Sequence, residues 1–229
     1  MVINTKLKFV FVHIPKAAGT SVMNTLKPLD DDNHRWLAKT KYETLAELHS
    51  NIKSRRSVLD KFTGRCPRAF FTFGFVRNPW DRMASFYRFL TERRPRSEID
   101  TVSNFADFLT QARDGVEWIQ TLYSMKSQLD YFTFEHNRMQ LGFLGHYEYL
   151  EDDFNSITQT LRCPVQLPHF NQSSNSANDY RTSYDDDTIE LVADLFAEEI
   201  SFFGYEFANP RPKRRLSCKI DCERPRTMP

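Results

Sequence analysis

Two short stretches of the chain carry side chains suited to holding anions. The first is Lys16-Ala17-Ala18-Gly19-Thr20-Ser21, which follows the apolar run Lys8 to Ile14 and Pro15 and leads into Ser21 to Leu26. A strand that passes through a small, glycine-containing loop into a helix presents backbone N–H groups and the positive end of the helix dipole to an anion. Lys16, Thr20 and Ser21 add side-chain donors there. The order of residues is not that of the ATP and GTP loop, G-x-x-x-x-G-K-[ST], because Lys16 precedes Gly19 and no lysine precedes Thr20-Ser21. A nucleoside triphosphate is therefore disfavoured. The second stretch begins at Arg77, just after the apolar run Ala69 to Val76, and reaches Ser85 eight residues later. Arginine offers a planar donor fork that fits phosphate, and a serine two turns into the following helix faces the same crevice.

The elements that must position these residues are legible from periodicity. Lys8 to Ile14 and Ala69 to Val76 read as buried strands, each ending where a proline or an Arg-Asn-Pro turn stops it. Ser21 to Leu26 and Trp80 to Leu90 read as the helices that follow them. Tyr42 to Leu59 has apolar residues at helical spacing, as have Phe105 to Ala112 behind an Asn104 cap, Val116 to Ser127, Asp152 to Leu161 and Asp185 to Phe202. Leu141 to Leu144 is a short strand, and Asp185 to Asp187 favour the start of their helix electrostatically. Glu92 to Asp100 and Asn171 to Asn178 read as loops. Strands separated by helices predict an α/β sheet with parallel pairs, whose ligand crevice lies beyond the carboxyl ends of the strands.

His13-Ile14-Pro15-Lys16-Ala17-Ala18-Gly19-Thr20-Ser21 resembles the 5′-phosphosulfate loop of sulfotransferases that use 3′-phosphoadenosine 5′-phosphosulfate (PAPS), usually written P-K-[ST]-[AG]-[GS]-T-S. Ala17 departs from that pattern by lacking the hydroxyl. The segment Phe75 to Tyr87, FVRNPWDRMASFY, resembles the same family's 3′-phosphate element, with Arg77 and Ser85 at its spacing. Leu144 to Phe154, Leu167 to Asn171 and Phe203-Gly204-Tyr205 are similar to landmarks of the carbohydrate-type branch, so the resemblance covers about residues 8 to 207. It implies a P-loop-like three-layer α/β fold, with a central, mostly parallel sheet flanked by helices. It also implies PAPS as co-substrate, held by Lys16, Ala17, Ala18, Gly19, Thr20, Ser21, Arg77 and Ser85, with no metal. Lys16 is then expected to stabilise the departing 5′-phosphate, since sulfuryl transfer, like phosphoryl transfer, is an in-line displacement that depends on positioning and cationic stabilisation.

The acceptor's proton needs a base, and histidine titrates in the right range. His49 is the choice among six histidines, because Leu48-His49-Ser50-Asn51-Ile52 lies between the two motifs and resembles the branch's short histidine-bearing helix. His13 reads as a buried, hydrogen-bonded structural residue. The acceptor implied is a hydroxyl or amine on a small molecule or glycan.

Composition narrows the partners. Lys plus Arg number 31 and Asp plus Glu 30, so no global field recruits nucleic acid. Twenty Phe and nine Tyr against seven Gly argue for an ordered globule. Four scattered cysteines fit free thiols in a reducing compartment, and no stretch approaches a membrane span or a signal peptide, which together suggest a cytoplasmic protein. Residues 1–208 read as one domain and 209–229 as a basic Pro/Arg-rich tail, and no feature sets an oligomeric state. Two other functions remain compatible with these residues: a nucleotide- or glycan-binding protein that kept the fold but lost catalysis, and a kinase-like phosphotransferase.

Overall fold

The structure is a computed structural model that describes residues 1–29, 40–54, 70–93, 97–134, 138–163, 165–167, 179–213 and 220–223. Its strands are β1 (Val2–Asn4), β2 (Phe9–Val12), β3 (Phe71–Val76), β4 (Arg138–Leu141), β5 (Phe143–His146) and β6 (Ile220–Glu223). Its helices are α1 (Gly19–Leu26), α2 (Leu45–Ser54), α3 (Pro79–Arg88), α4 (Phe105–Arg113), α5 (Glu117–Gln120), α6 (Leu150–Leu161), α7 (Asp186–Leu195) and α8 (Ala197–Phe203). The chain forms two compact units, one of residues 1–76, 128–169 and 216–226, the other of 77–127, 170–215 and 227–229.

The first unit holds a four-stranded sheet in the order β1-β2-β3-β5. β1 runs antiparallel to β2, while β2 pairs with β3 and β3 with β5 in parallel, with Phe11 opposite Phe73 and Phe75 opposite Gly145. Side chains alternate across a strand, so Phe9, Phe11, Phe73, Phe75 and Phe143 line one face. There they form one core with Val22 and Leu26 of α1 and with Leu150, Phe154, Ile157 and Leu161 of α6. Each fully buried phenylalanine is worth about 1.5–3 kcal/mol, and four of these five are no more than 1 % exposed. On the other face Gly74 is needed for close approach, because a Cβ there would overlap the Phe132 ring. This is the mostly parallel, helix-flanked α/β sheet that the sequence predicts.

Several boundaries differ. The helix expected over 42–59 is α2, Leu45–Ser54, and residues 55–69 lie outside those described. The strand expected over 141–144 is two strands, because Gly142 ends β4 and β5 begins at Phe143. β4 leaves the main sheet and pairs antiparallel with β6. β6 was not anticipated and falls in the segment read as a tail, and neither was β1.

In the second unit, Pro79 occupies the first turn of α3 and Asn78 Oδ1 caps it by accepting from Trp80 N at 3.1 Å. α3 then loosens into one π-helical turn, Phe89–Arg93. Asn104 caps α4 as expected, and Asp185 forms a capping box with Thr188 at the start of α7. The helix expected over 116–127 is instead α5 followed by an extended Leu122 and a 3-10 turn at Tyr123–Met125. The break has a physical reason: it frees the carbonyls of Ser124 and Lys126 to accept from Arg82 Nη1, at 2.9 and 3.4 Å. The helix expected over 185–202 is also broken, at Phe196, whose ring lies 4.8 Å from the Arg82 guanidinium. The loop expected over 92–100 includes a 3-10 turn, Ser97–Thr101, with Ile99 buried; residues 94–96 and the loop 171–178 lie outside those described.

Those breaks surround one buried ion pair. Arg82 and Glu199 are both fully buried, with Nη2 3.0 Å from Oε1, and the Ser127 hydroxyl donates to the other Glu199 oxygen at 3.1 Å. Among the described residues Arg82 Nε has no acceptor. A charge this deep is tolerated only when paired, so α3 and α8 are tied to each other electrostatically.

Candidate functional site

β2 ends at Val12, and the next six residues turn the chain into α1. Lys16 and Ala18 both adopt the left-handed region, with φ of 66° and 57°. Such conformations cost a non-glycine residue of the order of 1–3 kcal/mol, and two within three residues mark a turn whose shape is imposed by its surroundings. Ala18 is the N-cap of α1 and offers no side-chain acceptor, and the first turn holds no acidic residue. Ser21 N and Val22 N bond to Ala18 O. The N–H groups just before them face outward from a helix start, where no earlier carbonyl of the helix can reach them. Thr20 is exposed and Lys16 half-buried, so the turn opens to solvent. The arrangement offers donors of the kind an anion would need.

His13 backs this turn. A Cβ on Gly19 would collide with the His13 ring, so only glycine fits there. The ring is buried and packs edge-on against Tyr42, with centroids 5.0 Å apart. It is buried as expected, but Nδ1 has no hydrogen-bond partner among the described residues. Burial lowers its pKa to about 3, assisted by the charges of Lys41 and the N-terminal amine. The folded pKa thus lies below the unfolded value of 6.5. The folded state keeps the ring neutral, so its contribution is complete above pH 6.5 and is lost as pH falls toward 3, because the unfolded chain takes up the proton first. In urea titrations between pH 6.5 and 4, His13→Gln should show a shallower loss of unfolding free energy than the native chain, by up to about 1.4 kcal/mol per pH unit. Equal slopes would show that this ring does not govern the acid limb.

Lys41, which belongs to no motif, reaches the same turn. Its Nζ donates to Thr20 Oγ1 at 3.0 Å and lies 5.3 Å from the Tyr42 ring centroid, while its carbonyl accepts from the Met1 amine at 2.6 Å. His49 sits on α2, which begins with reciprocal bonds between Thr44 and Glu47. Its ring is only 7 % exposed and lies 4.5 Å from the Phe134 ring.

In the second unit, Arg77 directly follows β3. Its Nε and Nη2 each meet an Asp81 carboxylate oxygen at 2.7 Å, a paired fork that sets the guanidinium plane. Asp81 went unremarked in the sequence, although its spacing of four residues from Arg77 is the signal for such a pair. Ser85 is half-buried on α3, two turns further on. α3 is held firmly: Asn78 Nδ2 donates to Glu206 O at 3.1 Å, Trp80 Nε1 to Ile189 O at 3.0 Å, and Tyr184 OH to Trp80 O at 2.7 Å. Lys16 to Ser21 thus lie at the start of α1, whereas Arg77 precedes α3 and Ser85 lies two turns into it.

The model of the Sulfotransferase family matches residues 1–206 of the 229, and so takes in the strand-turn-helix at Lys16 and the one at Arg77. The chain belongs to the Sulfotransferase family. No curated protein and no solved structure matches it at a significant level. Sulfotransfer is accordingly the general activity of the family, and the mostly parallel α/β sheet is consistent with its fold. Among the described residues of this sulfotransferase, no helix is long and apolar enough to cross a membrane. Among them, too, no three His, Cys, Asp or Glu side chains gather so as to hold a metal ion.

Proposed function

We propose that this sulfotransferase takes its sulfuryl group from PAPS and passes it to a hydroxyl or amine on a carbohydrate or other hydroxylated small molecule. The observation that carries the reading is the Lys16–Ser21 turn. Its sequence resembles a phosphosulfate loop, with Ala17 in place of the usual hydroxyl residue, and its backbone places two left-handed residues before a helix start that no side chain caps. The donor set there is cationic and rich in N–H and hydroxyl groups, which suits a phosphosulfate and gives nothing that would favour a cation.

In this reading Lys16, with the N–H groups of the turn, holds the 5′ end of the co-substrate, and Thr20 and Ser21 add hydroxyls. Arg77, its plane set by Asp81, and Ser85 hold the 3′-phosphate. The acceptor oxygen forms its bond to sulfur as the bond from sulfur to the 5′-phosphate oxygen breaks, and the acceptor's proton passes to His49. Lys16 neutralises the charge that grows on the departing phosphate oxygen.

Label transfer tests this. With sulfur-labelled PAPS and, separately, γ-phosphorus-labelled ATP, products of a hydroxylated acceptor panel should carry label from PAPS alone. His49→Ala should lose about 10²–10⁴-fold in kcat, the usual contribution of a general base, while still binding 3′-phosphoadenosine 5′-phosphate. Label from ATP without label from PAPS would make the protein a phosphotransferase instead.

A further inference from the structure

Helix N-termini carry a partial positive charge that proteins usually complement with acidic residues or a capping oxygen. Here the first turn has no acidic residue and Ala18 supplies no cap. The chain nevertheless brings a second cation to it from 21 positions away, with Lys41 Nζ 3.0 Å from Thr20 Oγ1. The ammonium is held in place: Tyr42 lies beneath it and the Met1 amine fixes its backbone carbonyl. Its charge is felt locally, since it is the second cause, after burial, of the depressed His13 pKa. Lys16, the helix end and Lys41 all have the same sign, and each attracts an anion to the turn.

The hydroxyl between them has a defined role. A threonine O–H that accepts from an ammonium is polarised by it and turns its own proton to another acceptor. Thr20 is exposed, so its hydroxyl is open to solvent.

We propose that Lys41 is a second cation of the donor site, binding the phosphosulfate end of the co-substrate together with Thr20. The proposal rests on the reading of the Lys16 turn as a phosphosulfate loop, and adds to it a residue from a separate segment that no motif contains.

The test is calorimetric binding of 3′-phosphoadenosine 5′-phosphate, with PAPS kinetics alongside, on the full chain. Lys41→Met should weaken binding and raise the KM for PAPS by about tenfold or more, and flatten the dependence of log Kd on log salt, as loss of one phosphate-facing charge requires. Lys41→Arg, which keeps the charge, should stay within about threefold of native in both. A lysine that merely packed against Thr20 would leave the salt dependence unchanged. Lys41→Met binding within twofold of native, with native salt dependence, overturns the role of Lys41 and leaves the donor site standing. A native chain that binds no 3′-phosphoadenosine 5′-phosphate overturns both.

Discussion

Lys16→Ala is expected to lower kcat about a thousandfold or more while the chain stays folded. The size follows from the proposed role. Removing one preorganised charge or donor aimed at a developing oxyanion typically costs about 10²–10³-fold, and a cation on a transferring phosphoryl-type group reaches about 10³–10⁵-fold. A thousandfold corresponds to about 4 kcal/mol of transition-state stabilisation. The loss should fall on kcat more than on the KM for PAPS, because the bridging oxygen gains its charge only as the bond to sulfur breaks. The variant is a clean one for the backbone. Lys16 sits at φ 66°, and alanine meets the same penalty there as lysine, so the turn is neither relaxed nor further strained. Thermal melting within a few degrees of native, with single-turnover rates from labelled PAPS, separates chemistry from folding. A variant retaining more than a tenth of native kcat would remove Lys16 from the reaction.

The second large effect concerns stability. Glu199→Ala should cost about 3–5 kcal/mol, because it leaves the Arg82 guanidinium buried without its counter-charge. For a chain of this length each kcal/mol shifts the melting temperature by about 2–4 °C, so a fall of about 10 °C is expected. Among the described residues, Arg82 otherwise meets two carbonyls and the face of Phe196, none of which neutralises a charge. Replacing both partners together, as Arg82→Met with Glu199→Leu, should recover most of the loss, since a well-packed apolar pair does without the desolvation that the ion pair incurs. Calorimetric or fluorescence melting of the two variants decides it. Glu199→Ala melting within 2 °C of native would mean that the pair is not buried in solution.

The strands on either side of the two motifs were legible because their apolar runs end at unmistakable stops, Pro15 and Asn78-Pro79, and because helix caps such as Asn104 and Asp185 announce themselves. The helix interruptions were not, because periodicity continues through them. Ile189, Val192, Phe196 and Ile200 keep helical spacing although Phe196 breaks the helix, and the guanidinium that its ring meets there comes from more than a hundred residues away in sequence. The split at Gly142 has the same origin: one glycine serves as both the end of β4 and the entry to β5, and only the pairing of β4 with a distant strand tells them apart. β1, at three residues, is too short to show a period. At the site, the backbone requirement was readable in the residues of the turn. Lys41 was not, since a lysine beside a tyrosine in a polar stretch has no pattern, and its meaning comes only from the fold that carries it to Thr20.

The antiparallel ladder between Arg138–Leu141 and Ile220–Glu223 has a practical consequence for anyone trimming the gene. The family match stops at residue 206, so a fragment cut there would look complete by homology yet would leave one strand with a row of unmet amides and carbonyls. Such a naked margin recruits whatever extended peptide is nearest, most often another molecule of the same fragment. β6 thus works as a protective hem, and clumping of the shortened product would be a defect of the cut, with no bearing on the catalyst.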